Sequence, residues 1–230
     1  MDPQSKLIKD VYGGNDNRDR VGLDYAVWFY ASNVWLDMQY CGVRTLKSPQ
    51  DMWNYQEIIS KLKPGLVIEF GTFHGGAALY FANVLQQLGH RSRVLTVDPT
   101  DHGISPLVHQ HPMIEQIRGM SVSQEVKSRI QFLRKEYPGP VFCILDGDHR
   151  AQNVFFELMM LRDLLVKGDY VINEDSNLNG HPIPAMTGEA GPWEALAEYQ
   201  NHYPGDYIHD VGMEKRFGWT LATEGYLIKT

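Results

Sequence analysis

Short apolar runs alternate with amphipathic segments through the middle of this chain. LVIEF, RVLTVD and VFCILD are each followed by a segment with helical spacing, and YVINED closes the series. Near-continuous apolar strands between amphipathic helices are typical of a parallel sheet buried on both faces. The pattern predicts a doubly wound, mostly parallel α/β sheet of the Rossmann-like class. Near the end, DYIHDV, FGWTLATE and GYLIK are separated by turn residues and predict a C-terminal β-hairpin.

The first part of the chain has a different character. Residues 1–47 mix aromatic, glycine and charged residues, which predicts an N-terminal extension acting as a lid or in oligomerisation, ahead of a main domain at 48–230. Helical spacing within the extension predicts a face packed on the main domain or another subunit, made of Val27, Tyr30, Ala31, Val34, Trp35 and Met38. A helix starting after Ser48 is predicted to bury Met52, Tyr55, Ile58, Ile59 and Leu62.

Composition narrows the class of protein. A chain of 230 residues with 43% hydrophobic and 21% charged residues is typical of a globular domain. The net charge of −7 and the lack of a long basic run make nucleic acid an unexpected partner. Cys41 and Cys143 are too few for a disulfide framework, and Cys143 lies in an apolar run, so a reducing cytoplasm is expected. No apolar stretch reaches the roughly 18 residues of a membrane span.

Acidic residues follow each of the four predicted strands. In open parallel sheets, ligands bind beyond the carboxyl ends of the strands. The residues at these exits are Glu69 with Gly71, Asp98, Asp146 with Asp148, and Glu174 with Asp175. This edge of the sheet is therefore the predicted functional site.

The segment EFGTFHGG joins the first of these strands to its helix. Glu69, Gly71, Gly75 and Gly76 are arranged as in the ExGxGxG turn of S-adenosylmethionine enzymes, except that Phe73 replaces the middle glycine. The acid favours a cationic ligand over a pyrophosphate; a tight turn without a ligand is the alternative. Asp98, one strand–helix–strand unit later, is predicted to accept ribose hydroxyls, with a helix cap or a solvated loop acid as the alternative.

DGDH and NEDSN form the strongest local signal. Up to four carboxylates, Asp146, Asp148, Glu174 and Asp175, meet in one crevice, and this is unfavourable unless a cation or protons neutralise them. Oxygen ligands favour Mg²⁺, Mn²⁺ or Ca²⁺. Asp146 and Asp148 alternate along an extended chain, so one is expected to face the metal and the other the cofactor. Asp148, Glu174 and Asp175 are the favoured ligands. His149 is proposed as the general base, with a histidine that orients a carboxylate as the alternative.

These groups together suggest a reaction. A metal-bound hydroxyl beside a sulfonium methyl group predicts methyl transfer to oxygen. An iron oxygenase would prefer two histidines and one carboxylate, which the acid-rich cluster disfavours. A non-catalytic partner would have no need for such clustered acids. The acceptor pocket is predicted among Tyr25, Trp28, Tyr30 and the loops DHGISPLVHQHPM and HPIPAMTGEAGPW.

Several blocks also resemble a known family. SPQDMWNYQEIISKLKPGLVIEFGTFHGGAALYFANVL, LDGDHR and VINEDSNLNGHP are similar, in this order, to the cephalosporin hydroxylase family, which includes rhamnosyl O-methyltransferases. The resemblance extends from about Gly42 to EGYLIK. It implies a class I S-adenosylmethionine-dependent methyltransferase fold, a Mg²⁺- or Mn²⁺-dependent O-methyltransferase acting on a sugar or small natural product, and a homo-oligomer.

The resemblance also assigns individual residues. It implies a cofactor turn at Glu69, Gly71, Thr72, Gly75 and Gly76, ribose contact at Asp98, and metal ligands at Asp148, Glu174 and Asp175. Related macrolide-sugar methyltransferases imply instead that Asp146 binds the metal and His149 is the base. Asp146 and Ser121 are also assigned to the cofactor site, and Asp148 with His149 to catalysis. The family's turn ends in GGSAL, whereas this chain has Ala77, which removes a hydroxyl contact to the cofactor.

Overall fold

The computed structural model describes residues 18–184 and 188–230. Within them one seven-stranded sheet has the order β5-β4-β3-β6-β7-β9-β8, and a separate two-stranded sheet pairs β1 with β2. The strands are β1 Gln39–Tyr40, β2 Val43–Arg44, β3 Leu66–Phe70, β4 Arg93–Asp98, β5 Ile114–Arg118, β6 Val141–Leu145, β7 Tyr170–Asn173, β8 Tyr207–His209 and β9 Tyr226–Lys229. The helices are α1 Arg18–Ala31, α2 Pro49–Leu62, α3 Gly76–Leu88, α4 Pro106–His109, α5 Gln124–Glu136, α6 Ala151–Leu164, α7 Pro192–His202 and α8 Val211–Glu214.

The pairing of the strands confirms the predicted fold. Strands β3 to β7 run parallel to one another, while β9 is antiparallel to both β7 and β8. The C-terminal hairpin is therefore present as β8 and β9. The run FGWTLATE contributes no strand to it, because residues 217–224 form turns between α8 and β9.

The two faces of the sheet are covered by different helices. One core cluster packs Ile68 and Phe70 of β3 against residues of α5, α6 and α7. The other packs Val67 of β3 against Tyr55 of α2 and Phe81 of α3. Alternate residues of a strand point to opposite faces, so a strand buried on both sides reads as one apolar run. This is why the strands could be recognised from the sequence.

The N-terminal helix packs on the main domain through only part of the predicted face. Ala26 and Phe29 of α1 are buried, and Tyr30 and Trp35 pack against them, whereas Val27 is 49% and Val34 is 37% exposed. Val27 and Val34 therefore do not pack on the main domain, and their packing on another subunit stays a prediction. Gly22 lets α1 lie close to the backbone at Gly218, because a Cβ on Gly22 would lie 1.9 Å from the carbonyl oxygen of Gly218. The face of α1 that carries Gly22 is therefore the one that can be buried here. Predictions for residues 1–17, and for 185–187 of the loop before α7, lie outside the described residues.

The sequence predicted neither a membrane span nor a disulfide framework. Among the described residues, no helix is both long enough and apolar enough to cross a membrane. Cys41 is exposed and Cys143 is buried, and both are free thiols, as predicted for Cys143.

Candidate active site

The site lies where the strand order reverses, between β3 and β6. This is the topological switch point at which ligands bind in doubly wound sheets. A cavity of about 470 Å³ opens here, within the range of small-molecule sites. It is lined by the glycine turn, the exits of β4 and β6, the residues after β7, and the segment between α1 and α2.

The glycine turn brings the backbone of β3 against the exit of β6. Gly71 has a φ of 106°, and a Cβ there would lie 2.0 Å from the carbonyl oxygen of Asp146. Gly76 begins α3, and a Cβ on it would lie 2.5 Å from the carbonyl oxygen of Arg44. Only glycine therefore allows the turn to lie this close to its two neighbours.

The side chains of the turn and of β4 are ordered around the cavity. Thr96 donates a hydrogen bond to one oxygen of Glu69, whose other oxygen is buried without a partner among the described residues. Burial raises the pKa of Glu69 to about 8. Asp98 accepts hydrogen bonds from the backbone of Phe73 at 3.0 Å and of Thr100 at 2.8 Å. Glu69, Thr72 and Asp98 all line the cavity, so the structure brings these predicted residues together.

Three side chains from the exits of β6 and β7 converge beside this turn. Asp146, His149 and Asp175 each offer one ligand atom, and these atoms lie within 4.8 Å of one another. His149 Nε2 lies 3.0 Å from an oxygen of Asp175. The group has the spacing and oxygen content that a divalent ion requires. We call Asp146, His149 and Asp175 the acid–histidine cluster.

A buried lysine, which no sequence pattern indicated, contributes positive charge to the cluster. The ammonium of Lys47 contacts Asp146 and lies 3.2 Å from Glu174. Its side chain is only 3% exposed. Although burial lowers the pKa of Lys47, the charges of Asp146 and Glu174 outweigh that effect and raise it, so the lysine stays charged. The positive charge predicted for these acids is therefore supplied in part by the protein itself, through Lys47.

Lys47 is held in place from the helix that follows it. Ser48 caps α2 and donates to Asp51 at 2.6 Å. Asp51 is fully buried and also accepts from the backbone of Leu221 at 2.8 Å and from Tyr226 at 2.7 Å. This hydrogen-bonded knot fixes the start of α2 on the sheet, and with it the residue immediately before the cap.

Glu174 lies behind the cluster and is absent from the cavity lining. Tyr55 donates to one of its oxygens at 2.5 Å, the oxygen that also faces Lys47. The second oxygen is buried without a partner among the described residues. Burial raises the pKa of Glu174 to about 8, despite the nearby charge of Lys47.

Asp148, like Glu174, is a predicted ligand that the structure does not bring into the cluster. It lies on the cavity wall, where both of its oxygens accept from Arg150 Nε at 2.9 and 3.0 Å. The Arg150 hydrogen bonds lower the pKa of Asp148. Asp146 faces the cluster, whereas Asp148 faces the guanidinium of Arg150. Opposite orientations are expected for two residues that alternate along an extended chain.

Opposite pKa shifts within the cluster show how its charge is distributed. Burial raises the pKa of Asp146, and Lys47 offsets only part of this. Burial also acts on Asp175 and His149, but their mutual attraction prevails: it lowers the pKa of Asp175 and raises that of His149 to about 9. His149 is therefore charged at neutral pH while it faces the ionised carboxylate of Asp175.

A second buried acid lies on the other wall, where Ser121 was predicted to bind the cofactor. Ser121 donates to Glu157 at 2.5 Å, and Asn153 donates to the same oxygen at 3.0 Å. Asn153 also donates to the backbone oxygen of Asp148 at 3.2 Å. These bonds connect the β5 exit to the residues before α6. Ser123, rather than Ser121, caps α5.

The buried acid predicts a pH-dependent stability. Burial raises the pKa of Glu157 to about 7 from 4.5. The unfolded carboxyl releases its proton first, so the free energy of unfolding falls as pH rises from about 4.5 to about 7. This contribution is on the order of 3 kcal/mol. Chemical denaturation should show a smaller fall in Glu157→Gln than in the wild type and in an exposed control, Glu198→Gln, because Glu69 and Glu174 contribute the remaining fall in all three proteins. Equal slopes in all three would contradict the assignment.

Part of the cavity wall is apolar. Phe29, Tyr30 and Trp35 line it together with Leu178 and Leu221. Of the three aromatic residues predicted for an acceptor pocket, Tyr30 is therefore at the cavity, whereas Tyr25 and Trp28 do not line it. Trp28 is 53% exposed on the outer side of α1.

The chain is similar to known proteins in sequence and in fold. The family model described as Rhamnosyl O-methyltransferase/CmcI matches residues 32–230. Rhamnosyl O-methyltransferase of Mycobacterium tuberculosis (strain H37Rv) is 46% identical over 211 residues, covering 92% of this chain and 86% of that protein. Rhamnosyl O-methyltransferase of Mycobacterium leprae is also 46% identical, over 92% of this chain and 91% of that protein.

Solved structures share the fold at lower identity. A structure of CmcI with Mg-SAM has a TM-score of 0.66 at 20% identity, covering 85% of this chain and 77% of that chain. An O-methyltransferase from Bacillus cereus in complex with SAH has a TM-score of 0.53 at 16% identity, covering 98% of this chain and 97% of that chain. These similarities confirm the class I methyltransferase fold.

Proposed function

The chain belongs to the Rhamnosyl O-methyltransferase/CmcI family, and from that premise we propose that it is a metal-dependent O-methyltransferase that uses S-adenosylmethionine to methylate a hydroxyl of a sugar or small natural product. The observation that carries this proposal is the acid–histidine cluster beside the glycine turn in one cavity. Methyl transfer to oxygen requires a proton acceptor and a methyl donor on either side of one hydroxyl, and the cavity offers a place for both.

The glycine turn supports the donor site. Glu69 has a buried oxygen without a partner among the described residues, which suits a cationic donor. Asp98 lies on the cavity wall and can accept hydroxyl groups in addition to its two backbone hydrogen bonds. We assign Glu69, Gly71, Thr72, Gly75, Gly76, Asp98 and Ser121 to this donor site. The structures of CmcI with Mg-SAM and of the Bacillus cereus O-methyltransferase with SAH support this assignment.

The donor atoms of the cluster support a magnesium or manganese ion. Asp146 and Asp175 supply carboxylate oxygens, which these ions prefer. We assign the metal to these two residues, with Glu174 behind them and His149 left as the base. This choice favours Asp146 over Asp148, because Asp148 is held by Arg150.

The chain's own residues then divide the work of the reaction. When bound, the donor supplies an electrophilic methyl group and the ion lowers the pKa of the acceptor hydroxyl. Nδ1 of His149, the ring nitrogen that does not face Asp175, accepts the hydroxyl proton, while Asp175 accepts from Nε2–H, orients the imidazole and stabilises its charged form. For this, His149 must first be neutral. The negative charges of Asp146 and Asp175 raise the pKa of His149. When those charges are neutralised, the pKa of His149 falls and the imidazole can be neutral.

Other features of the proposal concern the surroundings of the site. We propose that residues 1–47 form a lid over the cavity and take part in a homo-oligomer, which is supported by the exposed apolar residues of α1, Val21, Leu23, Tyr25, Val27 and Trp28. The free thiols Cys41 and Cys143 support a reducing cytoplasm. The iron oxygenase is disfavoured, since the cluster has one histidine and two carboxylates.

Calorimetric titration with S-adenosylmethionine, with and without MgCl₂, tests the proposal directly. Binding at micromolar to millimolar concentration is expected, because the cavity has the size and the polar groups of a nucleotide-like ligand site. The absence of heat and of a thermal shift at millimolar donor would contradict it.

Matched substitutions of the two aspartates separate the metal assignments. Asp146→Asn is expected to weaken Mg²⁺ binding about 10- to 100-fold, because a neutral amide replaces a charged ligand. Asp148→Asn is expected to leave it nearly unchanged, since Asp148 is paired with Arg150. Mn²⁺ titration followed by electron paramagnetic resonance gives both affinities. The reverse order would restore Asp148 as the ligand.

A further inference from the structure

Arg44 and Thr45 pack directly on the first turn of α3. A Cβ on Gly76, the first residue of this helix, would lie 2.5 Å from the carbonyl oxygen of Arg44 and 2.7 Å from the Cβ of Thr45. Arg44, Thr45 and Ala77 line the same cavity as the glycine turn. The reaction described above gives neither Arg44 nor Thr45 a role.

The start of α3 suits an anion. Gly75 occupies the N-cap position and has no side chain with which to cap the first N–H groups of the helix. These N–H groups form the positive end of the dipole of a helix 13 residues long. Two side chains beside this helix end indicate which kind of anion it receives.

The hydroxyl of Thr45 is a buried polar group without a partner. The residue is only 6% exposed, and its Oγ1 makes no hydrogen bond to any of the described residues. A buried hydroxyl that stays unpaired is unfavourable. An anionic oxygen bound at the start of α3 gives Thr45 an acceptor and relieves this cost.

The guanidinium of Arg44 is only partly used by the protein. Its Nε donates to the carbonyl oxygen of Leu36 at 2.7 Å, and its central carbon lies 5.7 Å from the centre of the Phe73 ring. The two terminal nitrogens make no hydrogen bond within the described part of the chain. A guanidinium with free terminal nitrogens can bind a carboxylate strongly, through two parallel hydrogen bonds.

The same turn also offers a group for a cation. Glu69 lines the cavity, and its buried Oε1 has no partner among the described residues. Receptors for a cation and for a carboxylate on one turn match an α-amino acid, which carries its ammonium and its carboxylate on a single carbon atom. S-adenosylmethionine ends in such a group.

We propose that Arg44 and Thr45, together with the first N–H groups of α3, bind the α-carboxylate of S-adenosylmethionine and so select the donor by its amino-acid end. This rests on the proposed function. The carboxylate is then held at the start of α3 and the ribose at Asp98, so the sulfonium between them is fixed at both ends. Arg44 and Thr45 are specificity-determining residues for the donor.

The test compares S-adenosylmethionine with decarboxylated S-adenosylmethionine, which lacks only the carboxylate. Calorimetric titration of the wild type is expected to show about 10- to 100-fold tighter binding of the complete donor, because charge-assisted hydrogen bonds are lost with the carboxylate. Arg44→Met is expected to weaken binding of the complete donor about 10- to 30-fold, and Thr45→Val about three- to tenfold. Neither substitution should weaken binding of the decarboxylated donor.

Arg91→Met is the matched control, since it also removes one positive charge. Arg91 is 66% exposed and precedes β4, at the end of the sheet opposite to the strand exits, so this variant should keep the wild-type preference. Unchanged affinity for the decarboxylated donor shows that Arg44→Met and Thr45→Val retain an intact cavity.

The inference is overturned if the wild type binds both donors equally, a result that leaves the proposed function standing. It is also overturned if Arg44→Met weakens both donors by the same factor, or neither of them. If the wild type binds neither donor, the donor assignment of the proposed function fails, and the inference with it.

Discussion

Replacing Lys47 with methionine is expected to destabilise the metal-free protein by about 3–5 kcal/mol. The substitution keeps most of the side-chain volume and removes the buried charge between Asp146 and Glu174. Removing one partner of a buried ion pair leaves an uncompensated charge, and this has a cost of about that size. Urea denaturation of the wild type and of Lys47→Met gives the difference.

Magnesium distinguishes this electrostatic role from simple packing. Saturating Mg²⁺ is expected to recover part of the stability lost in Lys47→Met, because the ion brings positive charge to Asp146. Lys61→Met is the control, since Lys61 is 72% exposed and should change stability by less than about 0.5 kcal/mol. Equal stability losses in Lys47→Met and Lys61→Met, or a Lys47→Met loss that Mg²⁺ leaves unchanged, would contradict the account of the cluster.

Replacing His149 with alanine is expected to lower kcat by about 10²- to 10⁴-fold, the usual contribution of a general base. Donor affinity should be retained, because His149 faces Asp175 and lies outside the glycine turn. Rapid-quench assays with labelled donor measure the chemical step, and calorimetry measures the affinity.

The pH dependence of the same variant identifies the proton acceptor. The wild-type rate should rise with pH as His149 becomes neutral, and it should rise at lower pH when Mg²⁺ is saturating, since the ion opposes the attraction that raises the His149 pKa. His149→Ala should lose this rise, while His202→Ala, at the exposed end of α7, should keep it. A His149→Ala enzyme with the wild-type rate would remove the base assignment.

The sequence predicted those parts of the fold that depend on continuous burial. Strands β3, β4, β6 and β7 are apolar runs because both faces of each are covered. Strand β5 was missed, since it lies at the edge of the sheet and all of its residues are partly exposed or exposed, so IEQIR lacks the apolar signature. The helix Pro192–His202 was also missed: its first two residues were placed in the loop HPIPAMTGEAGPW, and the others received no prediction.

The site was predicted in its residue types and less well in its geometry. Acids at strand exits follow from the parallel order alone, so Glu69, Asp98, Asp146 and Asp175 were predicted to lie at one edge of the sheet, and all four line the cavity. Lys47 lies 99 residues before Asp146, and no local pattern links the two. The preference for Asp148 as ligand could not be tested from sequence, because the orientation of DGDH depends on Arg150 and Asn153.

Methyl transfer to a sugar hydroxyl, measured in the presence and absence of a divalent ion, tests the central claim most directly. The purified protein is incubated with S-adenosylmethionine, MgCl₂ and 4-nitrophenyl α-L-rhamnopyranoside, and the products are quantified by mass spectrometry. The account predicts a methyl ether of the glycoside and S-adenosylhomocysteine in equal amounts, with both lost on addition of EDTA and restored by excess Mg²⁺. Formation of the ether at an unchanged rate in EDTA, or no ether and no S-adenosylhomocysteine in MgCl₂, would contradict it.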